Sequence, residues 1–454
     1  MIEAVEVESV RPTGVRWRIF ALACGASFLL YLHRYTWNFV GPKLQEDFQF
    51  SNVQAGLLFS LFYYTYCLGQ IPSGVISDRF GPHRVLSVII VAWSLAIAMI
   101  GQTANLAVIA ACRLLFGAAQ AGCYPALAKV TRNWFPIAQR TTLQGWIATT
   151  FGRGGGALSP IILGTVLMGW WGLAWPRALF ILGMVGIAYG VLFWFTFRNT
   201  PAEHPGVNDA ERELIEEGSS SASSKDQAPL SAGVAWRSRS LRFFVLQQYL
   251  DAGSDVAFVS LIGTYFLRAR GFDVSKTGWL ASLPLWGGAL GGLAGGWLND
   301  RCIRWSGSRR WSRSLIGFVG KVLGCAMIAL MVQSTDGITA AWMLMVAKFF
   351  SDWSQPTTWG ACTDLAGRYS ATVFSIVNTA GTLGGVIMPI VFGTVLDYFT
   401  THSLVNGKDL PTTDWGPLFY LLAAMYLGSG VCWLLIDCTR SLDTKAENPA
   451  PGLE

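Results

Sequence analysis

The sequence predicts an all-α membrane protein in which twelve transmembrane helices form two six-helix, pseudo-symmetric bundles. Three observations carry this reading. The 454 residues are 52% hydrophobic and only 13% charged, with a mean hydropathy of +0.42, which is too apolar for a soluble chain of that length. Twelve runs approach the roughly 20 apolar residues that one crossing requires. One long polar connection divides them into six and six.

The first six runs cover residues 17–40, 54–77, 85–103, 106–128, 141–168 and 176–197, and the second six cover 243–267, 277–299, 314–334, 338–363, 370–397 and 416–437. They must be helices, because hydrocarbon leaves no unpaired backbone group satisfied and the runs lack the short alternation of barrel strands. Residues 1–197 therefore read as an N-terminal bundle, 198–242 as a cytoplasmic interdomain loop and 243–454 as a C-terminal bundle. Within the loop, Glu211–Glu217 reads as a short polar helix and Ser219–Ser224 as a flexible core.

An internal repeat supports the division. Pro160, Gly164, Thr165, Val166 and Leu167 recur as Pro389, Gly393, Thr394, Val395 and Leu396. Arg113, Gln120 and Pro125 have looser counterparts in Lys348, Gln355 and Pro356, and Asp78-Arg79 and Asp300-Arg301 both end a run. Two halves repeated in this way place a binding site at their interface, near the membrane midplane.

The net charge of +6 is an orientation signal. Of 33 Lys and Arg, 22 fall on one side of the predicted membrane, 6 on the other and 5 inside it, which puts both termini in the cytoplasm of a multi-pass protein of the cell (inner or plasma) membrane. Residues 1–16 are polar and acidic and the first apolar run is too long for a signal peptide, so that run addresses the chain. No basic segment is interleaved with stacking aromatics on a soluble domain, which argues against nucleic acid. Nine cysteines without a CxxC pair and four scattered histidines argue against a disulfide framework or a metal site. No nucleophile, base and orienting group cluster, so neither an enzyme nor a cofactor is expected. The glycines on the eighth run, Gly287, Gly288, Gly291, Gly292, Gly295 and Gly296, lack the strand and lysine of a phosphate loop. Like Gly152, Gly154, Gly155 and Gly156 on the fifth, they read as small faces for helix approach.

Five cations lie inside the runs: Arg34, Arg113, Arg153, Lys321 and Lys348. A buried cation in a membrane costs about 2.5 kcal/mol or more and marks a site by default. Asp251, Asp255 and Asp352 are the carboxylates at comparable depth. Lys348 and Asp352 are four apart and pair on one helix face; Lys321 either snorkels or finds a polar partner. Arg34, Arg113 and Arg153 are left in one half facing Asp251 and Asp255 in the other, an excess of guanidinium that suits a carboxylate or phosphate ligand. Tyr31 is one turn from Arg34. Asn38, Tyr66, Gln144, Gln247, Gln248 and Asn378 are further polar or aromatic candidates. A carrier of neutral sugars has no use for three unpaired arginines.

The stretch Gly74-Val75-Ile76-Ser77-Asp78-Arg79-Phe80-Gly81-Pro82-His83-Arg84 resembles the loop motif of the major facilitator superfamily, and Gly296-Trp297-Leu298-Asn299-Asp300-Arg301 its weaker second copy. Within the superfamily, several stretches resemble the anion:cation symporter family of organic-anion and sugar-acid carriers. They are Tyr31-Leu32-His33-Arg34, Arg113 to Gln120 with Tyr124-Pro125 and Asn133-Trp134-Phe135-Pro136, Thr363 to Gly367, Asn378 to Gly381, and Asn199 to Gly206. The resemblance implies the major facilitator fold and a secondary transporter that works by alternating access. It implies that Arg34 contacts a substrate carboxylate, that Tyr66 and Asn378 belong to the site, and that Arg113 belongs to a charge network. It further implies that Asp78, with Arg79, Arg140 and Asp300, forms a cytoplasmic gate in which Asp78 meets Arg140. Where the family often carries acids that move protons, this chain has His33 and Gln120. His33, Asp251 and Asp255 are thus the candidates for proton coupling, with an exchanger or uniporter as the alternative. A membrane receptor or sensor would require an output domain larger than the 198–242 loop. The expected partners are a small organic anion, H+ as the coupling ion and the lipid bilayer, with the protein acting as a monomer.

Overall fold

A computed structural model of the chain describes residues 11–49, 51–216, 236–366, 370–405, 408–439 and 442. The segment Ser219–Ser224 lies outside these residues. Each of the twelve predicted runs is helical. The first half of the chain comprises α1 (Val15–Arg34), α2 (Trp37–Phe48), α3 (Asn52–Ile100), α4 (Leu106–Ala121), α5 (Cys123–Trp134), α6 (Ile137–Gly145), α7 (Arg153–Pro160) and α8 (Trp175–Thr196). Helix α9 (Asp209–Glu216) lies in the connection where a short polar helix is expected. The second half comprises α10 (Arg239–Ser260), α11 (Ile262–Thr264), α12 (Val274–Ser306), α13 (Arg309–Val332), α14 (Gly337–Ser351), α15 (Ser354–Ala366), α16 (Ser370–Tyr398) and α17 (Gly416–Leu435). An antiparallel hairpin, β1 (Thr400–Val405) with β2 (Lys408–Thr413), joins α16 to α17 and was not foreseen from the sequence.

Among the described residues, seven helices are long and apolar enough to cross a membrane, or eight if α10 and the segment after its 44° bend count as one crossing. The other runs are helices interrupted by glycine, proline or charge. The starts follow ordinary capping chemistry: Asn105, Ser238, Asp273, Ser308 and Asp336 each accept from a backbone N–H in the first turn of the helix that follows. Helix α3 joins two predicted runs through Gly81, whose φ of 77° favours glycine; the Asn199 side chain accepts from His83 N at 2.9 Å and secures the turn.

The sequence repeat marks equivalent contacts between the halves. The carbonyl of Pro160 faces Gly278 on α12, and that of Pro389 faces Gly56 on α3, each so close that a Cβ would collide with it. Small residues let the helices meet backbone to backbone. On the same side as the hairpin, Asp397 accepts from Asn52 N and Val53 N, both at 2.9 Å, and so caps α3 from the other half. Asn38 donates to Phe258 O and accepts from Gly263 N, Arg268 donates to Pro42 O and to Gln45, and Thr165 donates to Ser275 O. Towards the opposite side the same helices are uncovered: Ile71 and Val75 on α3 are 80% and 65% exposed, and Leu293 and Trp297 on α12 are 67% and 63% exposed.

A second buried cluster holds the later half together. Lys321 of α13 makes an ion pair with Asp251 of α10, both side chains wholly inaccessible. It also donates to Ser351 at 2.7 Å and lies 4.9 Å from the centroid of the Tyr426 ring. Gln355 and Gln247 donate to the remaining Asp251 oxygen. This corrects the snorkelling alternative for Lys321: full burial leaves it no path to an interface.

Both the cap on α1 and the buried pair are open to measurement. Glu211 of α9 accepts from Thr13 Oγ1 and from the backbone N–H groups of Val15 and Arg16, both at 3.1 Å, so it caps α1. Burial pushes its carboxyl up, but these hydrogen bonds and Arg16 outweigh that effect and leave it below its ordinary value. A depressed carboxyl stabilises fully above its unfolded value of about 4.3 and loses that contribution as pH falls through the lower folded value. The protection factor of the amides at the α1 N-terminus, exchange being referred to the free-peptide rate at each pH, is therefore expected to be flat from neutral pH to about 5 and to fall only in stronger acid. Glu211→Gln lowers it already at neutral pH. For the buried pair, Asp251→Ala is expected to cost about 3–5 kcal/mol, because it strands Lys321, while Asp251→Leu with Lys321→Met restores most of it. Thermal unfolding of the purified protein checks this, and equal losses in the single and double variants would contradict the assignment.

Candidate functional site

The candidate site lies among four chain segments that break inside the bundle. Helix α1 gives way to α2 at Tyr35-Thr36, α4 to α5 at Gly122, α10 to α11 at Leu261, and α14 to α15 at Asp352-Trp353. Broken helices are tolerated inside a membrane only where the freed backbone groups are satisfied or line a cavity. Here Thr36 donates to His33 O at 2.7 Å, Gln120 to Leu30 O at 3.0 Å and Ser354 to Ser351 O at 3.0 Å. Arg153 opens α7 between two π-helical stretches, Trp146–Gly152 and Ile161–Trp170, the kind of irregularity that gathers at functional positions.

Arg34 is the last residue of α1 and is 8% exposed. Its Nε donates to Gln120 Oε1 at 3.1 Å. Its Cζ lies 5.0, 5.0 and 4.8 Å from the ring centroids of Tyr31, Phe62 and Tyr66, an aromatic cage that favours a cation without neutralising it. Its Nη2 is buried and has no hydrogen-bond partner. The expectation that Arg34, Tyr31 and Tyr66 lie together thus agrees with the geometry. Gln120, which the sequence presents as a missing acid, is the group that orients the guanidinium.

Beside this cage, Tyr31, Tyr35, Arg153, Asp255, Lys348 and Asp352 line a cavity of about 110 Å³. Arg153 Nη1 meets Asp352 Oδ2 at 2.8 Å, Asp352 Oδ1 meets Lys348 Nζ at 2.6 Å, and Lys348 Nζ meets Asp255 Oδ1 at 2.6 Å. The first of these bonds joins the two halves of the chain. Gly288 packs against the Asp352 carboxylate, so a side chain there would displace it; Gly287, Gly291 and Gly295 seat α12 on the α14 backbone and on Trp353. The small face on the eighth run therefore serves packing within its own half and room for a charge.

Several sequence expectations need correction. Lys348 and Asp352 do pair along one helix turn, but each also has a partner elsewhere. Asp251 and Asp255 do not neutralise Arg34 or Arg153; they meet Lys321 and Lys348. Asp251 is consequently enclosed in the buried cluster, away from the cavity. Arg113 does not point to the cavity either: it donates to the carbonyls of Leu58 at 3.3 Å and Phe59 at 2.8 Å, 4.5 Å from the Trp37 ring centroid. His33 lies one helical step from Arg34, so it faces α8, where its Nε2 meets Leu182 O at 3.1 Å in full burial. Asn38 and Gln247 are structural links, and Gln144 is exposed. Asn378 donates to Gln70 Oε1 at 3.1 Å across the halves. Near the other membrane edge, Arg140 donates to Phe135 O at 2.8 Å, Arg79 is exposed over the Phe80 ring, and Asp300 is exposed with Asn299 donating to it. The side chain of Asp78 lies outside the described residues, and so does its expected contact with Arg140. Tyr35 is the cavity residue missed by sequence reasoning; its place one turn after Tyr31 was the available signal.

Comparison with known proteins gives this arrangement a context. A profile of the Major Facilitator Superfamily matches residues 23–389 and again 246–452. The chain is 29% identical over 86% of its length, and 89% of the relative's, to the protein named Probable sulfoacetate transporter SauU of Cupriavidus necator. It is 29% identical over 87% of its length, and 86% of the relative's, to the Probable L-galactonate transporter of Escherichia coli (strain K12). It is 26% identical over 85% of its length, and 87% of the relative's, to the Probable galactarate/D-glucarate transporter GudP of Bacillus subtilis (strain 168). Among solved structures, a bacterial homolog of the human lysosomal transporter Spinster, in an inward-facing and occupied conformation, superposes with a TM-score of 0.69 at 17% identity, covering 96% of this chain and 99% of that one. The nucleoside transporter NupG gives a TM-score of 0.65 at 16% identity, covering 92% of this chain and 98% of that one. These two likenesses speak for the fold. The chain belongs to the Major Facilitator Superfamily, and is a multi-pass membrane transporter with the major facilitator fold, not an enzyme.

Proposed function

We propose that the protein is a secondary active transporter of a small organic anion, a carboxylate or sugar acid, with Arg34 as the anchor for its acid group. The observation that carries this reading is the buried, unpartnered Nη2 of Arg34 inside a ring of aromatic faces. A guanidinium in an apolar bundle is costly to leave uncompensated, and a carboxylate that meets its planar fork compensates it with two parallel hydrogen bonds. The relatives named for sulfoacetate, galactonate and glucarate support the same substrate class. Tyr31 and Tyr66 enclose the anchor, Arg153 supplies a second cation beside it, and Asn378 borders the site from the other half.

Transport proceeds by alternating access, with two six-helix bundles, residues 1–197 and 243–454, rocking about the site and twelve crossings in all. The hydrogen bonds of Asp397, Asn38 and Arg268 support a state closed on the hairpin side. With both termini in the cytoplasm, as the lysine and arginine bias indicates, that state is open to the cytoplasm. The protein works as a monomer in the cell membrane, and Asp78, Arg79, Arg140 and Asp300 form the gate that closes the cytoplasmic side in the opposite state. Proton symport fits an ionisable cavity wall better than anion exchange does.

Two measurements check this reading. In proteoliposomes, Arg34→Ala is expected to lower uptake of labelled sugar acid or sulfoacetate at least about 100-fold, the loss of a buried charge-assisted pair of roughly 3 kcal/mol. Unchanged uptake would remove Arg34 from the site. An imposed inward proton gradient is expected to drive accumulation of the anion above equilibrium. Exchange against internal anion that proceeds while the gradient drives nothing would make the protein an exchanger.

A further inference from the structure

The chain of charges beside Arg34 is balanced only while Arg153 and Asp352 hold each other. Two cations, Arg153 and Lys348, alternate with two carboxylates, Asp352 and Asp255, through contacts of 2.8, 2.6 and 2.6 Å. Asp352 is 1% exposed and Lys348 4%. The titratable groups that face the carboxylates are Tyr31 of α1, Tyr35 just after it, Arg153 of α7 and Asp251 of α10 itself, while α12 presents only Leu285 and Gly288. Lys321 on α13 and Tyr426 on α17 face them from the far side. Lys321 is committed to Asp251, so it offers Asp255 no second counter-ion. The tyrosines contribute dipoles without a formal charge. Lys348 alone remains between the two carboxylates if Arg153 is engaged elsewhere.

From this geometry we infer that Asp352 is a tethered stand-in for a second acid group of the substrate. An incoming dianion, with one acid group held by Arg34 and the other reaching Arg153, displaces Asp352 from Arg153. Asp352 and Asp255 then share the single ammonium of Lys348, and three cations facing two carboxylates and a dianion leave one surplus negative charge in a site of low dielectric. Like charges this close cannot both remain ionised at little cost, so the pair takes up one proton from the open side. No covalent bond changes in the substrate; one oxygen of the Asp255–Asp352 pair gains the proton and returns it when Arg153 is released. Anion binding and proton binding are thereby linked within one ion chain, and neither His33 nor Gln120 takes part. This inference rests on the proposed anion-binding function and adds to it the groups that carry the proton and the reason they do so.

The test uses the purified full-length chain in weakly buffered detergent solution with a pH-indicator dye. Sulfoacetate, galactonate and glucarate are added in turn, and binding is read by calorimetry. The wild-type protein is expected to take up about one proton per sulfoacetate or glucarate bound, and none with galactonate, whose single carboxylate leaves the charges of the site balanced. Asp352→Asn frees Arg153 from its internal competitor, so binding is expected to tighten about 3- to 10-fold while proton uptake disappears. Asp255→Asn leaves Lys348 with one carboxylate in either state, so it also abolishes uptake, counted per anion bound in the same calorimetry; it serves independently if Asp352→Asn does not fold. Binding of sulfoacetate or glucarate without proton uptake in the wild type, or uptake that survives in both variants, overturns the inference and leaves the anion-binding reading intact. No binding of any of the three anions to the wild type overturns that reading, and the inference with it.

Discussion

A guanidinium enclosed by apolar helices must either find a counter-charge or leave one of its donors unsatisfied, and Arg34 does the latter. Much of the surrounding structure is arranged to make that tolerable. The break between α1 and α2 lets Thr36 satisfy the His33 carbonyl, Gln120 orients the Nε and satisfies the Leu30 carbonyl, and three aromatic rings supply their negative faces. None of these groups carries a formal negative charge. The positive charge is consequently held in position and left uncancelled.

The other intramembrane charges are treated differently. Lys321 and Asp251 cancel within a fully buried cluster that includes Ser351, Gln355 and Gln247, and this cluster ties α10 to α13 and α14. Arg113 is satisfied by backbone carbonyls and aromatic faces. The chain from Arg153 to Asp255 is intermediate: balanced, partly accessible from a cavity, and built between the two halves of the chain. Equivalent positions of the repeat show the same logic. Gln120 accepts from a cation in one half, and Gln355 donates to a carboxylate in the other.

Much of the fold is legible in the sequence because hydrocarbon imposes a simple rule of length and helicity. The twelve runs and the short helix before residue 217 follow from local pattern. The hairpin between α16 and α17 does not, since nothing in hydropathy distinguishes it from a loop. The site is legible in its composition and less so in its pairing. Spacing within one helix finds Lys348 with Asp352, yet it cannot reveal that Asp251 meets Lys321, 70 positions away, or that Asp352 also reaches Arg153. Helical phase would have separated His33 from Arg34, because adjacent residues differ by about 100° around the axis. The reading of Gln120 as a lost acid came from comparison with a pattern, whereas its contact with Arg34 is a matter of three-dimensional placement.

The central claim is that the unpartnered edge of Arg34 receives the acid group of the transported anion. A structure of the protein with sulfoacetate or a sugar acid bound tests it most directly. The account predicts a carboxylate or sulfonate oxygen about 2.8 Å from Arg34 Nη2, within the Tyr31 and Tyr66 cage. An anion bound elsewhere in the bundle, with Nη2 still unpartnered, would contradict it.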